Sequence, residues 1–322
     1  MRTLSGIKPT GKIHMGNYFG AIRQFIDLQE KNENFYFIAD YHALTSNPVK
    51  EELSSDSLSI VMDYLALGID PNKSTIFLQS SVPQHCELSW ILSNVTSLSL
   101  MKRGHAYKSL VDRRESINMG LFGYPILMAA DILIYDADIV PVGRDQKQHV
   151  EFARDIAEKF NLIYGNTFKM PEPKILEMDH TVPGLDGKKM SKSYGNTLKI
   201  FDKESNIKKN IMGIVTDSKG VNESKDPDSC TIFKIYSLFL NGEEIKDLRK
   251  RYINGSVGYG NLKKELFERF MEYYKEARKI RESLEKDRGY VENILNKGKE
   301  KAKRIAQQKI ERVRSQIGIY EL

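Results

Sequence analysis

Two hydrophobic periods alternate along the first half of this chain. Phe35–Ala39 and Ser74–Leu78 are short, continuous apolar runs rich in β-formers, the pattern of strands buried on both faces of a parallel sheet. Between them, Ser55–Leu67 places Leu58, Val61 and Leu65 at helical spacing and stops at Gly68, which predicts a helix closed by a left-handed glycine. Helical spacing recurs over Glu87–Val95 and Leu121–Tyr135, a strand is predicted over Asp138–Val142, and Gln148–Phe160 puts Val150, Ala153, Ile156, Ala157 and Phe160 on one helix face. This alternation predicts an α/β domain with a doubly wound parallel sheet. The apolar opening before Pro9 and the amphipathic run after it predict a strand-to-helix turn at that point. After Asn196 only the helical period remains. Ile232, Ile235, Tyr236 and Phe239 precede a glycine-rich break at Gly255–Gly260, and amphipathic stretches follow over Leu262–Arg281 and Glu292–Gln316. A second, all-helical domain is expected, joined near residue 200, with the last helix packing back on the first domain.

Composition bounds the function. The 322 residues suffice for about two domains. No apolar run approaches the ~20 residues that cross a bilayer, and Pro9 and polar neighbours interrupt any signal-peptide pattern. Cys86 and Cys230 lie far apart without CxxC spacing, so neither a disulfide framework nor a cysteine zinc site is expected, and a cytoplasmic location is. The net charge of +6 is uneven. Residues 200–322 hold 27 Lys/Arg against 20 Asp/Glu, while residues 1–199 hold 22 against 23. A polyanion such as RNA would be drawn to the C-terminal part, although a solvated basic helix surface has the same composition.

Two segments carry candidate chemistry. Pro9-Thr10-Gly11-Lys12-Ile13-His14-Met15-Gly16-Asn17 lies at the predicted strand-to-helix turn, where unpaired N–H groups attract phosphate and glycines admit a nucleotide. His14 and Asn17 can donate hydrogen bonds to phosphate oxygens. The segment fits neither the dinucleotide fingerprint nor the P-loop. Beginning 175 residues after His14, Lys189-Met190-Ser191-Lys192-Ser193 is a cationic run able to neutralise a pyrophosphate leaving group. Singly, the first reads as a Pro-Gly turn with an incidental histidine and the second as an exposed basic turn. Together they describe a site for ATP in which the protein supplies no covalent nucleophile.

The two segments resemble the paired signatures of class I aminoacyl-tRNA synthetases. The stretch from Tyr124-Pro125-Ile126-Leu127-Met128-Ala129-Ala130-Asp131 through Val140-Pro141-Val142-Gly143-Arg144-Asp145-Gln146 to Arg154-Asp155 resembles the amino-acid pocket of the bacterial tryptophanyl-tRNA synthetase family, and the likeness runs along essentially the whole chain, Thr216-Asp217-Ser218 included. The resemblance implies a Rossmann-like catalytic domain over residues 1–199, a smaller helical anticodon-binding domain over 200–300 and a C-terminal helix over 301–322. It implies ATP with Mg2+, tryptophan and tRNA(Trp) as partners, a homodimer, and no protein-held metal. ATP would be bound by Lys8, Pro9, Thr10, Gly16, Asn17, Gly143, Arg144, Asp145, Val182, Lys189, Met190, Ser191, Lys192 and Ser193, with His14, Asn17, Lys189 and Lys192 catalytic. Tryptophan would meet Asp131 through its indole N–H, Met128 and Val140 through its ring, and Tyr124 and Gln146 through its ammonium, with Leu4, Gly6 and His42 nearby. The chain departs from the family pattern at Asn17 (in place of a second histidine), at Arg144 (an acidic residue is frequent) and at Leu4 (an aromatic in some relatives). Lys250, Arg251 and Tyr252 are the candidates for contact with anticodon bases. A tyrosyl-tRNA synthetase shares the fold and both ATP signatures; a small nucleotidyltransferase and a catalytically silent RNA-binding paralogue are the remaining alternatives.

Overall fold

Strands β1 (Arg2–Ile7), β2 (Glu33–Ile38), β3 (Ser74–Leu78), β4 (Ile139–Val142) and β5 (Glu172–Ile175) form one sheet in the order β3-β2-β1-β4-β5, with every pairing parallel. The computed structural model describes residues 1–104, 107, 118–143, 146–175 and 182–320. Contacts divide the chain into two units, each assembled from separate stretches. One comprises Met1–Gly11, Gln24–Leu176 and Lys286–Leu322; the other comprises Lys12–Arg23 and Glu177–Glu285. The linear division at residues 199 and 300 thus differs from the spatial one. The His14 segment and the lysine run cluster with the helices that follow them, and the C-terminal helix clusters with the sheet.

The sheet unit is a doubly wound α/β fold. Helices α1 (Lys50–Leu67), α2 (Gln84–Ser93), α3 (Met119–Leu133) and α4 (Lys147–Tyr164) connect or flank the strands. Gly68 closes α1 at φ +110, as its position predicts. Strand order reverses between β1 and β4, so the carboxyl ends of these two strands border the crevice where such sheets bind ligands. Strand β5 escapes the periodicity because Glu-Pro-Lys-Ile has no apolar run; a proline is tolerated there because β5 is an edge strand. The opposite edge, β3, is covered by a helix from the chain's end, α10 (Arg288–Ile317). Val291, Ile294, Gly298, Ala302, Ala306, Ile310 and Val313 are its buried stripe. At Gly298 the helix backbone lies so close to β3 that a Cβ would stand 1.8 Å from the Ile76 carbonyl oxygen. Arg314 forks onto Glu87 of α2 at 2.6 and 2.8 Å, and the buried Lys309 pairs with Asp136 at 2.7 Å.

The second unit is helical: α5 (Glu204–Met212), α6 (Thr231–Ser237), α7 (Gly242–Ile253), α8 (Tyr259–Tyr273) and α9 (Lys275–Lys286). The amphipathic run after the glycine break is two helices, not one, separated at Tyr274. Charge follows the spatial division. Residues 200–285 hold 17 Lys/Arg against 15 Asp/Glu, whereas 286–322 hold ten against five. Most of the positive excess expected on the helical domain therefore lies on α10 and its flanks, in the sheet unit.

Candidate active site

In the sheet unit a buried carboxylate is held by one predicted residue, His42, and by others the sequence does not single out. Asp131, in the last turn of α3, is 1% exposed. Its Oδ1 accepts from Gln79 Nε2 at 2.8 Å and from His85 Nδ1 at 2.6 Å; its Oδ2 accepts from His42 Nε2 at 2.8 Å and again from Gln79 at 3.0 Å. The second nitrogen of His85 is 2.8 Å from the Tyr135 hydroxyl. Burial alone would raise the Asp131 pKa, but the bonds from His42 and His85 outweigh it and hold the group at about 2, so it is ionised at neutral pH. Three protein donors thus engage both oxygens of the carboxylate, Gln79 bridging the two. Sequence reasoning misses Gln79, His85 and Tyr135. Each is a polar residue within or beside an apolar run, and nothing local separates such a residue from a solvated one.

The other residues expected to meet an amino acid are more dispersed. Tyr124 is bonded through its hydroxyl to His149 Nε2 at 2.9 Å, and its ring faces the Lys8 ammonium at 5.9 Å. Lys8 Nζ donates to Thr45 Oγ1 at 3.3 Å. Leu4 and Val140 are fully buried in the core shared by the sheet and α3, with Met128 packed on its margin. Gly6 has a structural reason of its own, since a Cβ there would stand 2.5 Å from the Phe37 ring on the paired strand. Gln146 is exposed at the start of α4, its N–H donating to the Gly143 carbonyl at 3.0 Å; Arg144 and Asp145 lie outside the described residues. Pro9 is buried and Thr10 exposed, and the Gly11 N–H donates to Asp56 Oδ2 at 2.6 Å, with φ +76 fitting glycine alone. A cavity of about 660 Å³ opens beside this region; Tyr124 is the one residue expected to bind tryptophan that lines it, together with Tyr41, Cys86, Trp90, Ile126 and Leu127 among others.

In the helical unit the two cationic signatures are joined directly. Met15 N–H donates to the Leu198 carbonyl at 3.0 Å and Ile200 N–H to Ile13 at 3.3 Å, so the His14 turn is laid against the end of the lysine loop. Met190 is the buried anchor of that loop, and its N–H bonds the Val182 carbonyl at 3.0 Å. Lys188, Lys189, Lys192 and Ser193 are exposed, whereas Ser191 is half-buried. Asn196, 4% exposed, is the organising residue that the motif does not contain. Its Oδ1 accepts from Ser191 N–H at 2.8 Å, and its Nδ2 donates to Asp186 at 2.7 Å and to the Lys189 carbonyl at 3.1 Å. Gly184 is required beneath it, because a Cβ would fall 2.2 Å from Asn196 Nδ2.

His14 is buried and its Nδ1 has no hydrogen-bond partner among the described residues, an orphan of the kind a ligand or water satisfies. Burial, and secondly the Lys192 charge, lower its pKa to about 4, so at neutral pH it is an uncharged ring. Gly16 leaves room for that ring, since a Cβ would meet Nδ1 at 2.9 Å. Asn17 Oδ1 accepts the His14 backbone N–H at 3.2 Å. Neutral donors beside exposed lysines suit a polyphosphate whose charge grows during reaction.

The anticodon candidates need correction. Tyr252 is completely buried and offers no stacking face; Arg251 is half-buried with its N–H edge held bidentately by Glu265 at 2.9 and 2.7 Å, and Lys250 is exposed. The Thr216-Asp217-Ser218 segment belongs to a loop pinned by buried Lys225, whose ammonium donates to the carbonyls of Gly220, Val221 and Glu223, while Tyr259 donates to Asp217 at 2.7 Å.

Known proteins resemble this chain along nearly its whole length. A family model described as tRNA synthetases class I (W and Y) matches residues 1–275. The chain is 53% identical over 319 residues to a tryptophan–tRNA ligase of Fusobacterium nucleatum, covering 99% of this chain and 98% of that protein. It matches the crystal structure of tryptophanyl-tRNA synthetase from Campylobacter jejuni complexed with ADP and tryptophan at TM-score 0.94 and 48% identity, covering 99% of this chain and 100% of the other. The corresponding structure from Mycoplasma pneumoniae matches at TM-score 0.83 and 30% identity, covering 99% and 98%. With both ATP signatures in place on such a fold, the chain belongs to the class I tRNA synthetases of the tryptophan and tyrosine family.

Proposed function

We propose that this enzyme is a tryptophan–tRNA ligase that works in two steps. The tryptophan carboxylate attacks the α-phosphorus of ATP, the bond to the β-phosphate breaks, and tryptophanyl-adenylate and pyrophosphate form. A 3′-terminal ribose hydroxyl of the tRNA then attacks the acyl carbon, and AMP leaves. The full-length likeness to tryptophan–tRNA ligases carries this reading.

Neutral His14 and the amide of Asn17 would donate to the phosphates, and Lys189 and Lys192 would take up the charge that collects on pyrophosphate. Mg2+ would enter with ATP and offset its phosphate charge. Asp131 would select tryptophan by accepting the indole N–H. Because its oxygens are already filled, the substrate must replace a protein donor. His42, at 6% exposure against 0% for Gln79 and His85, is the first within reach. An amino acid without an N–H at that position, such as phenylalanine, would break a charged hydrogen bond and return none, costing about 1.5–3 kcal/mol. The sheet unit would hold the amino acid and the helical unit would bind tRNA. A homodimer is consistent with the exposed Trp90, Leu98 and Met119 around the large cavity. No described helix is long and apolar enough to cross a membrane, in keeping with a cytoplasmic enzyme.

The test is amino-acid-dependent exchange of pyrophosphate into ATP across all twenty amino acids. Exchange with tryptophan is expected. Exchange with tyrosine alone, or with none, overturns the reading in two distinguishable ways.

A further inference from the structure

About half of the cations in residues 200–285 are consumed internally. Of the 17 Lys/Arg in residues 200–285, seven are in ion pairs within that stretch, and Arg278 and Lys225 are spent on backbone carbonyls. The other eight make no ion pair among the described residues, and four of these eight lie on one pair of packed helices. Helices α5 and α8 pack together, burying Ile207 and Ile211 against Leu262 and Leu266. Helix α5 carries Lys208 and Lys209 and helix α8 carries Lys263 and Lys264, and none of the four makes an ion pair among the described residues. Two are already held in place. The Lys208 ammonium lies 5.6 Å from the centroid of the Phe267 ring, and Lys263 Nζ donates to the Met212 carbonyl at 3.0 Å, at the negative end of α5. Lys208, Lys209 and Lys264 are exposed and Lys263 is half-buried. Glu204 of α5 and Glu268 of α8 are exposed, and among the described residues neither makes an ion pair with these lysines.

We propose that the α5–α8 lysine face is where the helical unit grips the phosphate backbone of tRNA. This rests on the reading of the chain as a tRNA ligase, and it moves the contact away from Arg251 and Tyr252. Four ammonium groups without carboxylate partners, on one pair of packed helices, suit a polyanion with regularly spaced charges. Anchoring by Phe267 and the Met212 carbonyl lowers the entropy lost when phosphates are bound. An acidic helix would need ion pairs at fixed spacing, whereas phosphodiesters accept loosely placed lysines.

The experiment uses the full chain and a transcript of the tryptophan-accepting tRNA. A triple variant, Lys208→Gln, Lys209→Gln and Lys264→Gln, touches only exposed side chains. Its tryptophan-dependent pyrophosphate exchange, which needs no tRNA, should match the parent. Its tRNA Kd should rise about tenfold at low salt, and the slope of log affinity against log salt should fall by about 2, since each phosphate that is no longer neutralised lowers it by about 0.7–0.9. The double variant K208E/K264E should weaken binding further, so that affinity follows charge. Parental tRNA affinity and salt slope in both variants would overturn the proposal, as would weakening that salt does not modulate. Absence of tryptophan-dependent exchange in the unaltered chain would instead remove the functional reading beneath it.

Discussion

Asp131→Asn changes one atom and removes one charge, and the structure sets what should follow. The carboxylate accepts from His42, Gln79 and His85. An asparagine offers one acceptor oxygen, and its NH2 must face a donor that has lost its partner. If the indole N–H is bound here, the variant exchanges a charged acceptor for a neutral and contested one. A charged hydrogen bond is worth about 1.5–3 kcal/mol, so the tryptophan KM should rise roughly tenfold to a hundredfold while the ATP KM stays within about twofold. The same network makes a second, independent prediction. The Asp131 pKa falls from the ordinary 3.8 to about 2 on folding, a difference worth about 2 kcal/mol. Since the folded value is the lower one, this stability is fully present above about pH 4 and is lost as pH falls through about 2. Urea midpoints between pH 5 and pH 2 should therefore fall more steeply in the parent than in Asp131→Asn. Pyrophosphate exchange at varied tryptophan and varied ATP reads the first effect. An unchanged tryptophan KM together with the altered pH dependence would make Asp131 a structural residue and refute its role as substrate acceptor. If neither changed, the charge network itself would be wrong.

Three other substitutions test separate links. Gly298→Ala should destabilise by about 3 kcal/mol or more, since its Cβ would stand 1.8 Å from the Ile76 carbonyl oxygen, although alanine is favoured by about 1 kcal/mol in an open helix; a raised denaturation midpoint would refute the close approach of α10 to β3. Lys192→Ala should slow adenylate formation about a hundredfold with tryptophan still binding, and should raise the His14 pKa from about 4 by removing a neighbouring charge, which NMR titration of the ring can follow; an unchanged exchange rate would take the loop out of the reaction. Asn196→Ala strips three hydrogen bonds from the lysine loop and should lower the exchange kcat about tenfold or more with little change in tryptophan KM, so a parental kcat would show that the loop keeps its shape without them.

Much of the architecture was legible because it depends on local periodicity. The runs at Phe35 and Ser74, the helix ending at Gly68 and the alternation between them are present in any short window, and the strands and helices form within a few residues of those bounds. Strand β5 was hidden, because four residues with a proline carry no period. The return of the last helix to the sheet was expected, but the linear domain division could not anticipate that Lys12–Arg23 clusters with residues from 177 onward, because that follows from which surfaces meet, not from local pattern. Charge was misplaced for the same reason. A tally along the chain assigned the positive excess to the helical domain, and the return of α10 carries most of it elsewhere.

What the sequence determined by itself is the chemistry on offer: two cationic signatures, an acidic residue in an apolar helix, and the family these imply. Those are properties of residue type and spacing. Only the tertiary structure decided how the chemistry is set. It neutralised His14 by burial, filled both oxygens of Asp131 with donors from Gln79, His85 and His42, shaped the lysine loop around Asn196, and withdrew Tyr252 into the core. Desolvation and hydrogen-bond saturation depend on everything that surrounds an atom, and those surroundings come from stretches of chain far apart in sequence.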